Sequence, residues 1–173
     1  MSDGHARALG VSRALLRIWR GFNLLVGVVL IGGLVATFVF EPAVRDFFSK
    51  RPPRIDSGLL VPLLRVWMLL ALPVIGAVHA MISRLLEMVG AVRAGDPFVP
   101  ENAARMQTIA WCMLAIQLFH LVCGAMAAAM NAAGSNIGWS FSATGWVAVV
   151  LLFVLARVFA EGTRIRSDLE AMI

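Results

Sequence analysis

The chain has 173 residues, of which 60% are apolar, whereas soluble domains have about 45–50%. This excess excludes an ordinary soluble domain and indicates a protein that is surrounded by lipid. The formal net charge of +5 does not indicate nucleic-acid binding, because the fifteen basic residues flank apolar runs and no nucleic-acid-binding motif accompanies them. We therefore expect no direct binding of nucleic acid.

Four apolar runs, each long enough to cross a bilayer as a helix, predict an all-α integral membrane protein with four transmembrane helices. We expect a single domain, residues 1–173, arranged as a four-helix bundle. Residues 41–58 are expected to form a short polar loop, because Pro42 disfavours a helical residue before it and so ends the first helix. The predicted spans are about residues 20–40, 59–83, 108–130 and 142–160.

Local signals refine these spans. Pro73 lies in the middle of the second run, where it removes one backbone hydrogen bond and predicts a kink. Gly95 is expected to end that helix, and the next one begins either at Asp96-Pro97 or at Pro100. Residues 124–133 are almost entirely Gly, Ala and Met, which would let a neighbouring backbone approach closely.

The distribution of basic residues predicts the orientation. With the amino terminus inside the cell, ten basic residues lie on the cytoplasmic side and five outside, as the positive-inside rule requires. Both termini, the loop 84–107 and the tail 161–173 are then cytoplasmic. Fourteen of the fifteen basic residues are Arg, which is typical of a GC-rich bacterial genome. We therefore expect a multi-pass protein of the bacterial cytoplasmic (inner) membrane.

Ionisable groups within the spans are the first candidates for chemistry. All ten acidic residues lie outside the predicted spans or at their ends, which argues against coupled transport of protons or cations. His79 and His120 lie at different depths, so no shared metal or haem is expected. We interpret both histidines, together with Cys112 and Cys123, as packing or hydrogen-bonding residues; the alternative is a ligand pair, His79 with Cys112 or His120 with Cys123. We predict no metal site, no cofactor and no catalytic residue, hence no enzyme.

Three other polar residues of the spans have structural interpretations. Arg65 is expected to extend its side chain toward the outer interface. Gln117 and Asn131 are expected to form hydrogen bonds between helices.

The central loop contains the first candidate binding residues. Phe98 is an apolar side chain at a position where lipid does not require one, and carboxylates and an amide surround it. We predict a partner-binding segment of five residues: Asp96, Pro97, Phe98, Glu101 and Asn102. The alternative is a simple connector whose prolines, glycine and helix caps only turn the chain.

The carboxyl-terminal tail contains the second candidate. Its apolar residues follow alternating steps of three and four, the spacing of a helix–helix seam, at Val158, Gly162, Ile165, Leu169 and Met172. We predict that Ile165 and Leu169 contact a partner. The alternative is an amphipathic helix end that frays.

Two strings, GDPFVPENAARMQTIAW and VFAEGTRIRSDLEAMI, resemble the bacterial four-helix membrane proteins grouped as domain of unknown function 2975. The resemblance covers essentially the whole chain in helix number and order, although the tail departs where an acidic pair and a more apolar finish are expected. It implies no established activity, and it implies a pairing with a small helix-turn-helix regulator at the inner membrane face. The residues that carry it are Gly95, Pro97, Phe98, Glu101, Asn102 and Trp111.

We therefore expect a non-enzymatic membrane protein whose partners are the lipid bilayer and a cytoplasmic DNA-binding regulator, which it binds or sequesters through the loop and the tail. The alternative is a small transporter or channel subunit that acts as a homo-oligomer. In that case Pro73 would break a helix near the middle of the membrane, as discontinuous transporter helices do.

Overall fold

The structure is a computed structural model that describes residues 3–50, 57–94, 99–132 and 136–170. Within these residues the protein is all-helical. It has five helices: α1 (Asp3–Val39), α2 (Glu41–Ser49), α3 (Ser57–Arg93), α4 (Pro100–Ala132) and α5 (Ala143–Glu170). The last three residues of the predicted tail, which include Met172, lie outside the described residues.

Helix α2 corrects the prediction of a polar loop after the first span. Pro42 lies in its first turn, where a missing backbone N–H costs nothing, and the acidic Glu41 complements the positive end of the helix. Two i,i+4 ion pairs, Glu41–Arg45 and Asp46–Lys50, add to the stability of this short helix. The prediction that α1 ends before Glu41 is confirmed, since α1 ends at Val39.

The long helices form an open row, whereas we expected a four-helix bundle. α1 packs along α3, α3 along α4, and α4 along α5, while α2 packs against α1 and α3. Among the described residues, the backbone of α1 does not closely approach that of α4 or α5. Each of the two outer helices therefore has one neighbouring long helix, and the rest of its surface faces outward.

Four of the helices are long and apolar enough to cross a membrane: Leu9–Val39, Val61–Arg93, Pro100–Ala132 and Ala143–Leu169. Large apolar side chains are exposed along the outer helices, among them Phe22 and Val29 on α1 and Val150 and Val154 on α5. Such continuous apolar surface is stable only against lipid. The chain is thus a multi-pass membrane protein.

The prolines have different effects in α3 and α4. α3 runs through Pro62 and Pro73 as one helix, because an α-helix in lipid tolerates the loss of single backbone hydrogen bonds. α4 begins at Pro100, so the later of the two predicted starts is the correct one. The first turn is closed by the backbone N–H of Asn102, which donates to the carbonyl of Val99 over 2.9 Å.

The connection between α4 and α5 folds back onto α4. The indole of Trp139 lies against Gly124, at a distance that would leave no room for a Cβ, and its Nε1–H donates to the carbonyl of His120 over 3.2 Å. Asn131 exchanges two hydrogen bonds with the backbone of Ile137. The small residues expected to admit a neighbouring backbone instead admit an aromatic ring here.

Gln117 is buried, and its side chain lies against the backbone of Gly145 in α5. Asn131 bonds to the following connection and not to a neighbouring helix. The expectation of an interhelical hydrogen bond is therefore wrong for Asn131, whereas Gln117 does lie at the contact between α4 and α5.

A candidate binding face at the Glu87 end

We call the end of the helix row at which α3 ends and α4 begins the Glu87 end, and the opposite end the Glu41 end. At the Glu87 end, α3 and α4 are joined by a polar cluster. Glu87 accepts a hydrogen bond from Arg84, one turn earlier in α3, over 3.0 Å and one from Arg105 of α4 over 2.9 Å. Arg105 also donates to Oδ1 of Asn102 over 2.8 Å. One carboxylate therefore ties two neighbouring helices together.

Asn102 is at the centre of this cluster and is only 1% exposed. This burial is not consistent with a direct contact between Asn102 and a partner, which the sequence led us to expect. The residue instead closes the first turn of α4 through its backbone and holds the Arg105 guanidinium through its side chain. Its effect on any binding surface is to fix the position of Arg105.

A pocket of about 250 Å³ opens beside the cluster. Its walls come from the last turns of α3 and the first turns of α4, and all but one of the lining residues carry polar or charged groups: Arg84, Glu87, Glu101, Ala104, Arg105 and Thr108. Glu101 is exposed at this pocket, as a partner-binding residue must be. The other three residues predicted in the loop, Asp96, Pro97 and Phe98, lie outside the described residues.

A second pocket, of about 290 Å³, lies between α4 and α5 at the same end. Gln107 and Arg157 are its polar lining residues, and Phe153 with several alanines provides the apolar lining. The ring of Phe153 meets Trp111 of α4 edge-on, with centroids 5.2 Å apart. The Glu87 end thus has two adjacent concave surfaces, one on each side of α4.

The last turns of α5 carry the two apolar residues that were predicted to bind a partner. Ile165 is 54% exposed and Leu169 is 56% exposed. Ala156, which is buried, marks the face of α5 that packs on α4. Nine residues at 100° per residue place Ile165 on the opposite face of the helix from Ala156. Ile165 and Leu169 therefore point away from the rest of the chain.

Lipid does not account for the exposure of these two residues. About twenty residues of α5 are enough to cross the hydrocarbon, so residues after about 163 project beyond it if the span begins near Ala143. Charged residues crowd this end of the helix: Arg157, Glu161, Arg164, Arg166 and Asp168. Two large apolar side chains in a charged helix end are the pattern of a docking stripe.

The Glu41 end carries a second cluster of the same design. Arg65 of α3 donates to Oε2 of Glu41 over 2.8 Å and to the carbonyl of Thr37 over 2.5 Å, and it lies 3.9 Å above the ring of Phe38. Arg45 donates to the other oxygen of Glu41. Hydrogen bonds from Arg65 first, and then from Arg45, lower the pKa of Glu41 below its ordinary value.

Arg65 therefore corrects an interpretation made from the sequence. It does not extend freely to the interface; it caps α1, because the Thr37 carbonyl is one of the last four of that helix and has no partner in it. Neither Glu41–Arg65 nor Glu87–Arg105 was predicted as a pair. Their separations of 24 and 18 residues carry no periodic signal, so only the packing of the helices brings the partners together.

Comparison with known proteins identifies a matching family. A family model described as protein of unknown function (DUF2975) matches residues 51–173. The match covers α3, α4 and α5, whereas α1 and α2 precede it, so the resemblance extends over less of the chain than the whole-length likeness that we expected. No curated protein and no solved structure matches the chain.

Proposed function

Because the chain belongs to this family of unknown function, DUF2975, we propose its function from the geometry of the site: it is a non-enzymatic membrane protein that binds a cytoplasmic partner protein at the Glu87 end. The observation that carries the proposal is the exposed pair Ile165 and Leu169 on the charged end of α5. Apolar side chains at i and i+4 are the anchors with which one helix docks onto another.

The proposal puts the Glu87 end in the cytoplasm of a bacterial cell, on the strength of the ten-to-five distribution of basic residues. The partner is then a small helical protein, and a helix-turn-helix DNA-binding regulator is the kind that the family resemblance implies. Binding such a regulator at the membrane would remove it from its DNA sites. The sequestering surface comprises the α3–α4 connection and the end of α5.

The clusters and pockets support this assignment in a specific way. The Glu87–Arg105 bond holds the ends of α3 and α4 in a fixed relation, so the connection between them is presented from a rigid base. The pocket beside it offers both carboxylate and guanidinium groups. A rigid base lowers the entropy cost of binding, which is what a recognition surface on a loop requires.

The transport alternative has less support. The groove next to Pro73 has a volume of about 170 Å³, and its described lining is wholly apolar: Pro73, Val74, Ala77, Ala115, Ile116 and Phe119. A solute or ion path needs polar groups along it. The groove is therefore better explained as a surface for lipid chains.

The test is capture of the tagged, full-length protein from detergent-solubilised membranes of its own cells, read by mass spectrometry. The bait Ile165→Ala/Leu169→Ala is compared with Val150→Ala/Val154→Ala, a pair with the same spacing on the same helix and similar exposure, 61% and 53%. Phe98→Ala tests the loop. We expect a small DNA-binding protein with the wild type and with the control pair, and a loss of at least tenfold with the other two baits.

Equal recovery of the same partners by all four baits would contradict the proposed surface. Recovery of the tagged chain alone, in every case, would reduce the loop to a connector. The transport alternative would then be the better hypothesis.

A further inference from the structure

Two buried polar atoms lack hydrogen-bond partners among the described residues: Oδ1 of Asn23 in α1 and Nδ1 of His79 in α3. Asn23 is only 8% exposed. Both residues lie within helices that cross the membrane. An unpaired polar atom costs more free energy there than in a soluble protein, because lipid offers no hydrogen bonds in exchange.

The register of α1 against α3 brings these two residues to one level. Arg65 bonds to Thr37, and a Cβ placed on Gly33 would lie 2.8 Å from Cε of Met68. These contacts show that the helices are antiparallel and that four residues back in α1 match three residues forward in α3, which are steps of nearly equal length. Extended by the same steps toward the amino terminus, the register sets Asn23 opposite His79.

A third contact lies one turn from the pair. A Cβ placed on Gly27 would lie 3.4 Å from Cγ2 of Ile75, so these two residues face each other across the interface. Asn23 comes four residues before Gly27 and His79 four residues after Ile75, which keeps each on the face that its neighbour occupies. Asn23 and His79 therefore face each other as well.

The opposite face of α3 supports this placement of His79. Val74 and Ala77 line the groove shared with α4. Two residues from Ala77, at 100° per residue, turn the His79 side chain by about 200° away from that groove. The ring is thus directed at α1 and not at α4.

We propose that Asn23 and His79 together bind one water molecule between α1 and α3. The asparagine oxygen can only accept a hydrogen bond, whereas the histidine nitrogen accepts or donates according to its tautomer. Water satisfies both tautomers, since it donates and accepts. Two buried polar atoms without a partner offer the hydrogen-bonding groups that a structural water needs.

The charges around the site exclude a bound cation. The nearest charged side chains on the two facing helices are Arg20 and Arg84, both exposed at the Glu87 end, and both would repel a cation. No acidic residue occurs in α1 between Asp3 and its end, and none occurs in α3 before Glu87. Without a carboxylate, a positive ion in this interface would keep its full desolvation cost.

The proposed water gives α1 a polar attachment at each end of its contact with α3. Arg65 provides the attachment at the Glu41 end, and the bridged Asn23–His79 pair provides the one nearer the Glu87 end. If α1 slid or rotated by one residue against α3, it would lose both polar attachments. The site therefore selects one register in an interface that is otherwise made of apolar and small residues.

A double-mutant cycle on the full chain in lipid nanodiscs tests the proposal. The variants are Asn23→Leu, His79→Leu and the two combined, and the measurement is the midpoint of thermal unfolding. Each single change leaves one polar atom unpaired, so we expect each to lower the midpoint by several degrees. The double variant removes both atoms, and we expect its midpoint to lie above that of either single variant.

The matched control combines Asn23→Leu with His120→Leu, since His120 stacks on Trp139 far from α1. The decreases in the unfolding midpoint that these two changes cause should add. The conservative variants Asn23→Thr and His79→Gln keep a polar atom and should unfold near the wild-type temperature, which separates the proposed role from a general effect on insertion.

The water itself is detected by nuclear magnetic resonance on protein labelled with ¹⁵N-histidine. We expect magnetisation to transfer from water to the His79 ring in the wild type and to fall at least severalfold in Asn23→Leu. The proposal is overturned if no magnetisation passes from water to the His79 ring in the wild type. It is also overturned if the decreases in the unfolding midpoint caused by Asn23→Leu and His79→Leu simply add in the double variant.

Discussion

The two ends of the helix row each contain a glutamate bound by two arginines, but the surroundings of the two clusters differ. At each end a glutamate is held by one arginine from its own helix and by a second arginine from a neighbouring helix: Arg45 and Arg65 for Glu41, Arg84 and Arg105 for Glu87. At the Glu41 end the second arginine is also covered by Phe38 and bonded to the backbone of α1. At the Glu87 end it borders an open pocket.

We call each glutamate with its two arginines a clasp. The surroundings of the two clasps indicate different roles. Around Glu41 the donors and acceptors are used within the clasp, so its role is to fix α1 and α2 against α3. Around Glu87 the clasp has the same fixing role, but Glu101 and the pocket wall remain accessible next to it. We infer that the Glu41 end serves stability and that the Glu87 end serves both stability and binding.

The largest effect is expected from Arg65→Leu, which would break the Glu41 clasp. It leaves the Thr37 carbonyl at the end of α1 without a donor and removes the stacking on Phe38. We expect a loss of about 1–3 kcal/mol in the free energy of unfolding, measured by denaturant titration in mixed micelles. Arg45→Leu, which keeps the bond between Arg65 and Glu41, should cost much less. Equal losses in the two variants would contradict the capping role of Arg65.

A smaller loss of stability is expected from Arg105→Leu at the Glu87 end. The change removes the guanidinium that donates to Oδ1 of the buried Asn102 and to Glu87, but α4 is also held by α3 on one side and α5 on the other. We expect about 1 kcal/mol in the same titration. Partner capture should fall together with stability here, while Arg65→Leu protein that remains folded captures normally. A loss of capture in both variants would remove the functional distinction between the two ends.

The smallest effect is expected from acid. The folded-state pKa of Glu41 is lowered, so its contribution to stability is complete above the ordinary pKa and is lost as the pH falls through the folded value. We expect the midpoint of unfolding to decrease over that range in the wild type and to decrease less in Glu41→Gln. The two proteins would show parallel curves if Glu41 made no pH-dependent contribution.

Residue chemistry explains which of these features could be predicted. The four spans and the end of α1 before Pro42 follow from local composition and backbone sterics, and the structure agrees on both. The stripe of Ile165 and Leu169 follows from helical spacing, and both side chains are exposed. The clasps could not be predicted, because each joins residues that are far apart in the sequence.

Asn102 and Arg65 show most clearly which structural features could not be predicted from the sequence. Both are polar residues whose type alone permits exposure, yet Asn102 is buried under Arg105, and Arg65 bonds to a helix end across the interface. The deciding quantity in each case is the register between neighbouring helices. That register depends on many side chains at once.

Residue composition and order are enough to specify a membrane protein of four spans, since the hydrophobic effect acts on composition and the cost of unpaired backbone groups makes each apolar run a helix. They also specify where the charged ends and the exposed stripe of α5 lie, because helical periodicity is local. Helix packing sets what local sequence signals leave open: the helices form an open row, and each glutamate meets a distant arginine. Those contacts depend on how helices pack in three dimensions, and side-chain shape and interhelical register control that packing.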